Sequence, residues 1–220
     1  MEIYVDTANI EHIRHAAELG FITGVTTNPS LLAKEDPNVD IKQRILDIHK
    51  LVGGHLSVEV ISTKKDGMLK EVDDILSWFP EATIKIPMIP EGLSAVHELS
   101  RQDIPTNVTL VFSPTQAIAA NNAGATYVSV FMGRLDDISQ SSAEVIYEVC
   151  EIWDMQEYDS QIIAASIRHP LHVIDAAKAG ADIATVPYNV IMQMLKHPLT
   201  DKGLEAFLSD YDKMQSKRNK

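Results

Sequence analysis

The sequence predicts an α/β fold, a (β/α)8 (TIM) barrel of parallel strands with one additional C-terminal helix. Three observations lead there. Short β-like runs and helical patterns alternate from end to end, eight strand candidates can be counted, and no long structureless insert separates them. The 220 residues are fewer than the ~250 typical of such barrels, so each unit has to be trimmed close to its minimum.

The strand candidates are IYVD (3–6), GVTTN (24–28), SVEV (57–60), TIKI (83–86), TNVTL (106–110), YVSVF (127–131), IIAAS (162–166) and IATVP (183–187). Between them, apolar residues recur three and four apart, as in Ile10, Ile13, Ala17 and again in Val72, Ile75, Leu76, Phe79. That spacing gives amphipathic helices with one stripe to bury against a sheet. After His197-Pro198, residues 200–214 read as a last helix with Leu204, Phe207, Leu208 and Tyr211 on one face and Thr200 at the N-cap. Its stripe needs a partner, either the barrel's flank or a neighbouring subunit. Residues 215–220 read as a basic, solvated tail. No linker, low-complexity tract or strict repeat divides the chain, so residues 1–220 are read as a single domain.

Composition narrows the function classes. Hydrophobic residues make up 45% and charged residues 23%, a globular balance, and no apolar run approaches the roughly 20 residues of a membrane span. The N-terminal MEIYVDTANIEHIRH lacks the pattern of a signal peptide, and cytoplasmic location is the expectation. The one cysteine, Cys150, allows no intramolecular disulfide and is expected as a buried filler. A net charge of −12 argues against nucleic-acid or anionic-membrane partners, because the long-range field repels polyanions. A small phosphorylated substrate stays compatible with it if a few arginines build a local positive pocket.

Lys85 is the most informative residue. It stands in Thr83-Ile84-Lys85-Ile86-Pro87, where a buried strand would otherwise carry aliphatics. If Ile84 and Ile86 face the helices, Thr83 and Lys85 point into the barrel, where desolvation favours the neutral, nucleophilic amine. An outward or edge-strand lysine reaching water is the other reading of the pattern alone. Company favours the inward one. Asp6, Asn28, Glu59, Asn107 with Thr109, Ser129 and Ser166 stand near the carboxyl ends of other strands, so seven of the eight candidates carry a polar residue where a barrel places its active site. Taken singly, each of these residues can also be read as a strand-end turn or cap residue, a reading that fits Asn28 and Ser166 better than acidic Asp6 and Glu59 among aliphatics.

Several chemistries are set aside. GxGxxG, P-loop, GxSxG and HExxH motifs are all missing. His12/His15 and His169/His172 have helical spacing but no acidic partner at ligand-like spacing, and they read as surface helix residues. Trp78, Trp153, Met192 and Met194 read as core or interface. No metal and no cofactor is expected.

At this point the motifs VDTANI (5–10), GVTTNPSL (24–31), EVIS (59–62), IKIPM (84–88), TNVTLVFS (106–113), GATYVS (124–129), GRLDD (133–137) and AASIRHP (164–170) come into view together. In order and over almost the whole chain, they resemble the transaldolase family, in particular the short-chain branch it shares with fructose-6-phosphate aldolase. The resemblance implies that Lys85 is a Schiff-base lysine, that Asp6 is the acid/base at the sugar hydroxyl, and that Glu59 and Thr109 hold the catalytic water. It implies that Asn28, Asn107 and Ser129 bind a dihydroxyacetone moiety and that Arg134, Ser166 and Arg168 bind the substrate phosphate; for Arg134 an ion pair with Asp136 or Asp137 is the alternative. Phe131 and Glu59 follow the transaldolase pattern, where the aldolases typically carry tyrosine and glutamine, and Arg168 stands where they often have lysine. Val130 and Ser139 depart from the family's usual proline and glycine. The implied activity is transaldolase, moving dihydroxyacetone from fructose 6-phosphate or sedoheptulose 7-phosphate to an aldose phosphate in the pentose phosphate pathway. Free aldolase cleavage of fructose 6-phosphate and a non-catalytic sugar-phosphate-binding barrel are the alternatives. The family likeness also implies a homo-oligomer, a pentamer or decamer, with the C-terminal helix reaching a neighbour.

Overall fold

The structure is a computed structural model that describes residues 1–35 and 39–218. Eight strands form one closed barrel in sequence order: β1 (Glu2–Asp6), β2 (Ile22–Thr26), β3 (His55–Glu59), β4 (Thr83–Pro87), β5 (Thr106–Val111), β6 (Tyr127–Phe131), β7 (Gln161–Ala165) and β8 (Ile183–Pro187). All pairs are parallel, and β8 closes on β1. Around them run α1 (Ile10–Glu18), α2 (Pro29–Leu32), α3 (Ile41–Val52), α4 (Lys65–Trp78), α5 (Pro90–Ser100), α6 (Pro114–Asn122), α7 (Gly133–Asp136), α8 (Ser142–Gln156), α9 (Pro170–Ala179), α10 (Tyr188–Met194) and α11 (Pro198–Arg218). The predicted (β/α)8 barrel with a C-terminal helix is the observed fold. Among the described residues no helix is long and apolar enough to cross a membrane.

Local signals start and stop the helices. Asn9, Asp40, Ser113 and Ser141 accept backbone N–H groups at the beginnings of α1, α3, α6 and α8. Gly53 and Gly180 end α3 and α9 at φ of 64° and 95°, a conformation that side-chain-bearing residues rarely adopt. The last helix begins earlier than expected. Pro198 supplies its first residue and His197 Nδ1 accepts the Leu199 N–H, so Thr200 lies inside α11 rather than at its N-cap. The helix also runs on through Arg218, taking in part of the expected tail; Asn219 and Lys220 lie outside the described residues. The expected strand limits of β2 and β3 shift back by about two residues, which leaves Asn28 beyond the end of β2.

Alternation along the strands divides the core. Val5, Val25, Val58, Ile84, Ile86, Val108, Val128, Val130, Ile162 and Val186 pack outward with helix residues such as Ile13, Ile48, Met68 and Ile146. Val130 therefore belongs to the layer under the helices and does not narrow the barrel's mouth. Cys150 and Trp153 are buried in the same layer, and burial pushes the Cys150 thiol up to about 12. The inward residues Tyr4, Ile163 and Ile183, with Tyr127 against them, make a separate cluster that fills the barrel floor. Gly24 gives the Tyr4 ring its space, since a Cβ there would lie 2.7 Å from the ring.

A polar path rises from this floor. His55 packs against Tyr4 and edge-on to Tyr127, and its Nε2 lies 2.7 Å from Ser57 Oγ. Ser57 Oγ accepts from Asn107 Nδ2 at 3.1 Å, and Asn107 Oδ1 accepts from Ser129 Oγ at 2.7 Å. If Ser57 donates to an unprotonated His55 Nε2, every hydroxyl proton along the path is paired, and the amide orientation of Asn107 is set from below. Burial suits that state, since it pushes His55 down to about 4, with Glu2 opposing. In the unfolded chain the imidazole titrates at its ordinary 6.5, so the unfolded chain binds the extra proton between those values. This group's contribution to stability is complete above pH 6.5 and is lost as pH falls toward 4, by about 3 kcal/mol in all. Urea unfolding of wild type and His55→Gln at pH 7 and pH 4.5 checks it: the variant should lose distinctly less stability on acidification, and equal losses would refute the assignment.

Candidate active site

The register of β3 and β4 sets Glu59 directly beside Lys85. Both side chains point inward, and Glu59 Oε2 stands 3.0 Å from Lys85 Nζ. Lys85 is only 6% exposed, and its amine also donates to the Thr27 carbonyl oxygen at 3.3 Å. The inward placement expected from Ile84 and Ile86 holds, and the outward alternative does not. A buried charge needs such a partner, because removing an ion from water costs several kcal/mol.

Asp6, at the end of β1, accepts from Thr26 Oγ1 at 2.8 Å, and Thr26 is hydrogen-bonded in turn to Thr185. Burial holds the Asp6 carboxyl above its ordinary value; Lys85 and the Thr26 hydroxyl pull it down, and Glu59 adds to the rise. The site thus holds two carboxyl groups around one amine. Asn107, fully buried, sits beneath with Ser57 and Ser129. Among the described residues, the buried Thr109 hydroxyl has no hydrogen-bond partner.

These groups open into a cavity of about 510 Å³ at the carboxyl ends of the strands. Asp6, Asn28, Glu59, Lys85, Thr109, Ser129, Phe131, Arg134, Ser166 and Arg168 all line it. Asn107 is the one expected site residue that lies behind the wall. Asn28 has the cap role foreseen for it as well, accepting the Leu31 N–H at 2.9 Å from the start of α2. A more apolar cavity of about 380 Å³ lies beside α2 and α3 and shares Asn28 and Glu59 with the first. Its other charged wall residues, Glu35 and Arg44, pair with each other at 2.7 Å, so the reactive groups gather in the larger cavity.

At the rim one alternative drops out and one expectation needs correction. Arg134 pairs with neither Asp136 nor Asp137; its guanidinium lies over the Phe131 ring, 5.1 Å from the centroid, and Arg168 takes Asp137 at 3.0 Å. His172 is not a surface residue. It is 2% exposed, and its acidic partner, Asp136, comes from α7 at 2.6 Å, a pairing across 36 residues that helical spacing could not reveal. His12 and His15 do lie exposed, against Tyr188.

Backbone geometry at the mouth is unusual. Leu110 and Ser166 have φ of 62° and 57°, and both line the cavity. Leu110 lies where the β5–β6 register shifts, a bulge that re-aims the strand end. Ser139, a departure from the glycine the resemblance leads one to expect, adopts φ 62°, so it keeps a glycine-like backbone despite its side chain. Gly133 is required by close approach, since a Cβ there would lie 2.3 Å from the Ser166 carbonyl oxygen.

Thr26, Lys34 and Thr185 line the cavity without having been singled out from the sequence. Thr26 and Thr185 follow from strand alternation, and Thr185 gives β8 an inward polar residue as well. Lys34 follows α2 in a loop and obeys no period; only the fold brings its charge near Asp6.

Comparison with known proteins places the chain in a family. Residues 3–220 match the family model described as Transaldolase/Fructose-6-phosphate aldolase. Proteins named probable transaldolase from Geobacillus thermodenitrificans and Moorella thermoacetica are 53% and 55% identical, over 98% and 99% of this chain and 100% of each relative. One from Agathobacter rectalis is 57% identical over 96% of this chain and 97% of its own length. The thiamine phosphate pyrophosphorylase structure from Pyrococcus furiosus superposes with a TM-score of 0.59 at 16% identity, covering 84% of this chain and 85% of that one, and shares the fold alone. With its barrel, its buried lysine and a family match over nearly its whole length, the chain belongs to the transaldolase/fructose-6-phosphate aldolase family.

Proposed function

We propose that the protein is a transaldolase that carries a dihydroxyacetone unit on Lys85 between fructose 6-phosphate or sedoheptulose 7-phosphate and an aldose phosphate, in the pentose phosphate pathway. The observation that carries this reading is the buried amine of Lys85 between two carboxyl groups. Glu59, 3.0 Å from the amine, takes a proton from the ammonium and returns it. The amine then attacks the C2 ketone, and the carbinolamine loses water to give an iminium. Asp6 accepts the proton of the C4 hydroxyl as the C3–C4 bond breaks, the bonding electrons flow into the iminium, and the aldose phosphate leaves. The enamine left on Lys85 attacks the next aldehyde, Asp6 returns its proton to the new hydroxyl, and hydrolysis of the iminium frees Lys85. The raised position of Asp6 suits a group that must both take and return a proton during the reaction.

Glu59 and the unpartnered Thr109 hydroxyl suit a site for the water that enters and leaves during imine formation. Asn28, Asn107 and Ser129 are assigned to the dihydroxyacetone oxygens, with Asn107 acting from behind Ser129. Arg134, Ser166 and Arg168 at the rim are assigned to the phosphate, where two guanidiniums give charge-assisted hydrogen bonds. Neither a metal nor a cofactor enters these steps.

The exposed stripe of Leu204, Phe207, Leu208 and Tyr211 on α11 supports a homo-oligomer, pentamer or decamer, in which that face is covered. Sedimentation velocity at micromolar concentration should give a species several times the 24.4 kDa chain mass; a monomer would exclude this assembly.

Phe131 stands over the cavity with its ring edge-on to Phe112 and beneath Arg134. A phenyl ring offers water no hydrogen bond, so the enamine survives until an acceptor arrives. Release of glyceraldehyde 3-phosphate from fructose 6-phosphate should therefore be fast only with erythrose 4-phosphate present, and borohydride with fructose 6-phosphate should attach the sugar to Lys85. Equal release without acceptor would favour a free aldolase, and failure to trap an adduct would exclude the Schiff base. Phe131→Tyr should raise acceptor-independent release several-fold; no rise removes the role given to this ring.

A further inference from the structure

The rim that carries Arg134, Ser166 and Arg168 consists of two segments, one after β6 that includes the short helix α7 and one loop after β7, and neither is held by the barrel's strand pairing alone. Their backbones meet directly, with Met132 N–H donating to the Ala165 carbonyl oxygen and Gly133 N–H to that of Ser166, each at 2.9 Å. Beyond these contacts stands the group Asp136, His169 and His172, whose candidate ligand atoms lie within 4.8 Å of one another. The hydrogen bonds show what His172 does there. The Arg168 backbone N–H, which can only donate, points at His172 Nδ1 at 3.2 Å. Nδ1 is therefore the unprotonated nitrogen, and the ring proton sits on Nε2, which donates to Asp136 Oδ2 at 2.6 Å. Both imidazole nitrogens are committed, so the ring has no lone pair left for a cation.

Asp136 is itself fixed. Its Oδ1 accepts the Ser142 N–H at 3.0 Å and its Oδ2 the Ser142 hydroxyl at 3.1 Å, at the first turn of α8. Burial pushes the Asp136 carboxyl up, but the Ser142 N–H, His172 and the Ser142 hydroxyl outweigh it and hold it below its ordinary value. A charged, anchored carboxylate thus orients the imidazole, and the imidazole holds the backbone of Arg168. The guanidinium contact of Arg168 with Asp137 is exposed on both sides, at 52% and 58%, and a surface pair of that kind fixes little. Backbone position is then the main constraint on where the Arg168 side chain starts.

We propose that His172 and Asp136 are positioning residues for the anion-binding rim: Asp136 sets the tautomer of His172, and His172 holds the Arg168 backbone so that Arg168 and Ser166 meet the phosphate of the substrate together with Arg134. The inference rests on the assignment of that rim to phosphate. It adds two residues that touch neither substrate nor reacting atoms and that act on phosphate affinity rather than on the chemistry at Lys85.

Two readouts separate this role from a general loss of structure. One is the KM for fructose 6-phosphate; the other is the rate at which borohydride traps dihydroxyacetone, which has no phosphate, on Lys85. His172→Leu should raise the KM about tenfold, the effect of one lost hydrogen bond that orients a charged group, while dihydroxyacetone trapping stays within about twofold. His172→Asn, whose amide oxygen can stand near the Nδ1 position, should recover most of the KM. Should His172→Leu fail to fold, Asp136→Ala at a more exposed position should raise the KM in the same way. An unchanged KM in the folded variants, or a parallel fall in dihydroxyacetone trapping, would overturn the proposal. Arg168→Ala identifies the failing layer. If it raises the KM while the His172 and Asp136 variants do not, the positioning role alone is wrong; if it too leaves the KM unchanged, the phosphate assignment falls and the positioning role with it.

Discussion

Lys85 and Glu59 meet at 3.0 Å inside the barrel, and much of the architecture can be read as what that contact requires. An ammonium removed from water is tolerated where an opposite charge and further hydrogen bonds replace the solvent. The parallel register of β3 against β4 supplies the opposite charge, because it sets residues 59 and 85 side by side with both side chains inward. The Thr27 carbonyl oxygen, just past the end of β2, supplies a further acceptor. Closing the sheet through β8 and β1 completes the enclosure and brings Asp6 to the opposite wall. An open sheet with the same strands would leave the amine at a surface.

The same enclosure explains the polar path beneath the site. Side chains that point into a barrel cannot reach water, so Ser57, Asn107 and Ser129 satisfy one another, and the path ends at His55 among the floor aromatics. The orientation of a residue assigned to substrate is thereby set by groups on the far side of the barrel. At the mouth the balance changes. The chain carries a net charge of −12, yet Lys34, Arg134 and Arg168 all line the cavity. A net negative field and a local pair of guanidiniums are compatible in principle, because long-range repulsion acts on polyanions and short-range hydrogen bonds act on a single small anion.

Part of the backbone's left-handed strain lies at the mouth. The left-handed Leu110 and Ser166 lie on the cavity wall, and Ser139 holds the same conformation in the loop that follows Arg134. Such residues persist where the surrounding contacts over-determine the backbone. Here those contacts include the Gly133 N–H on the Ser166 carbonyl oxygen and the bond from the Arg168 N–H to His172. Shape at the rim thus comes from loops braced against each other, and shape at the floor comes from the strands.

The barrel, its eight strands and most of the residues that line the cavity were legible in the sequence, since alternation and helical spacing are local patterns that report which face of each element is buried. Lys85 among isoleucines and polar residues at successive strand ends are visible for that reason, and Thr185 stands in the same pattern. Tertiary structure decided what depends on separation along the chain. The pairing of Asp136 with His172, the choice of Asp137 by Arg168 rather than Arg134, the approach of Lys34 to Asp6 and the path from His55 to Ser129 each join residues on different elements. No periodicity records them, because a contact across a closed barrel is fixed by strand register and loop course, and each of those depends on all the strands at once.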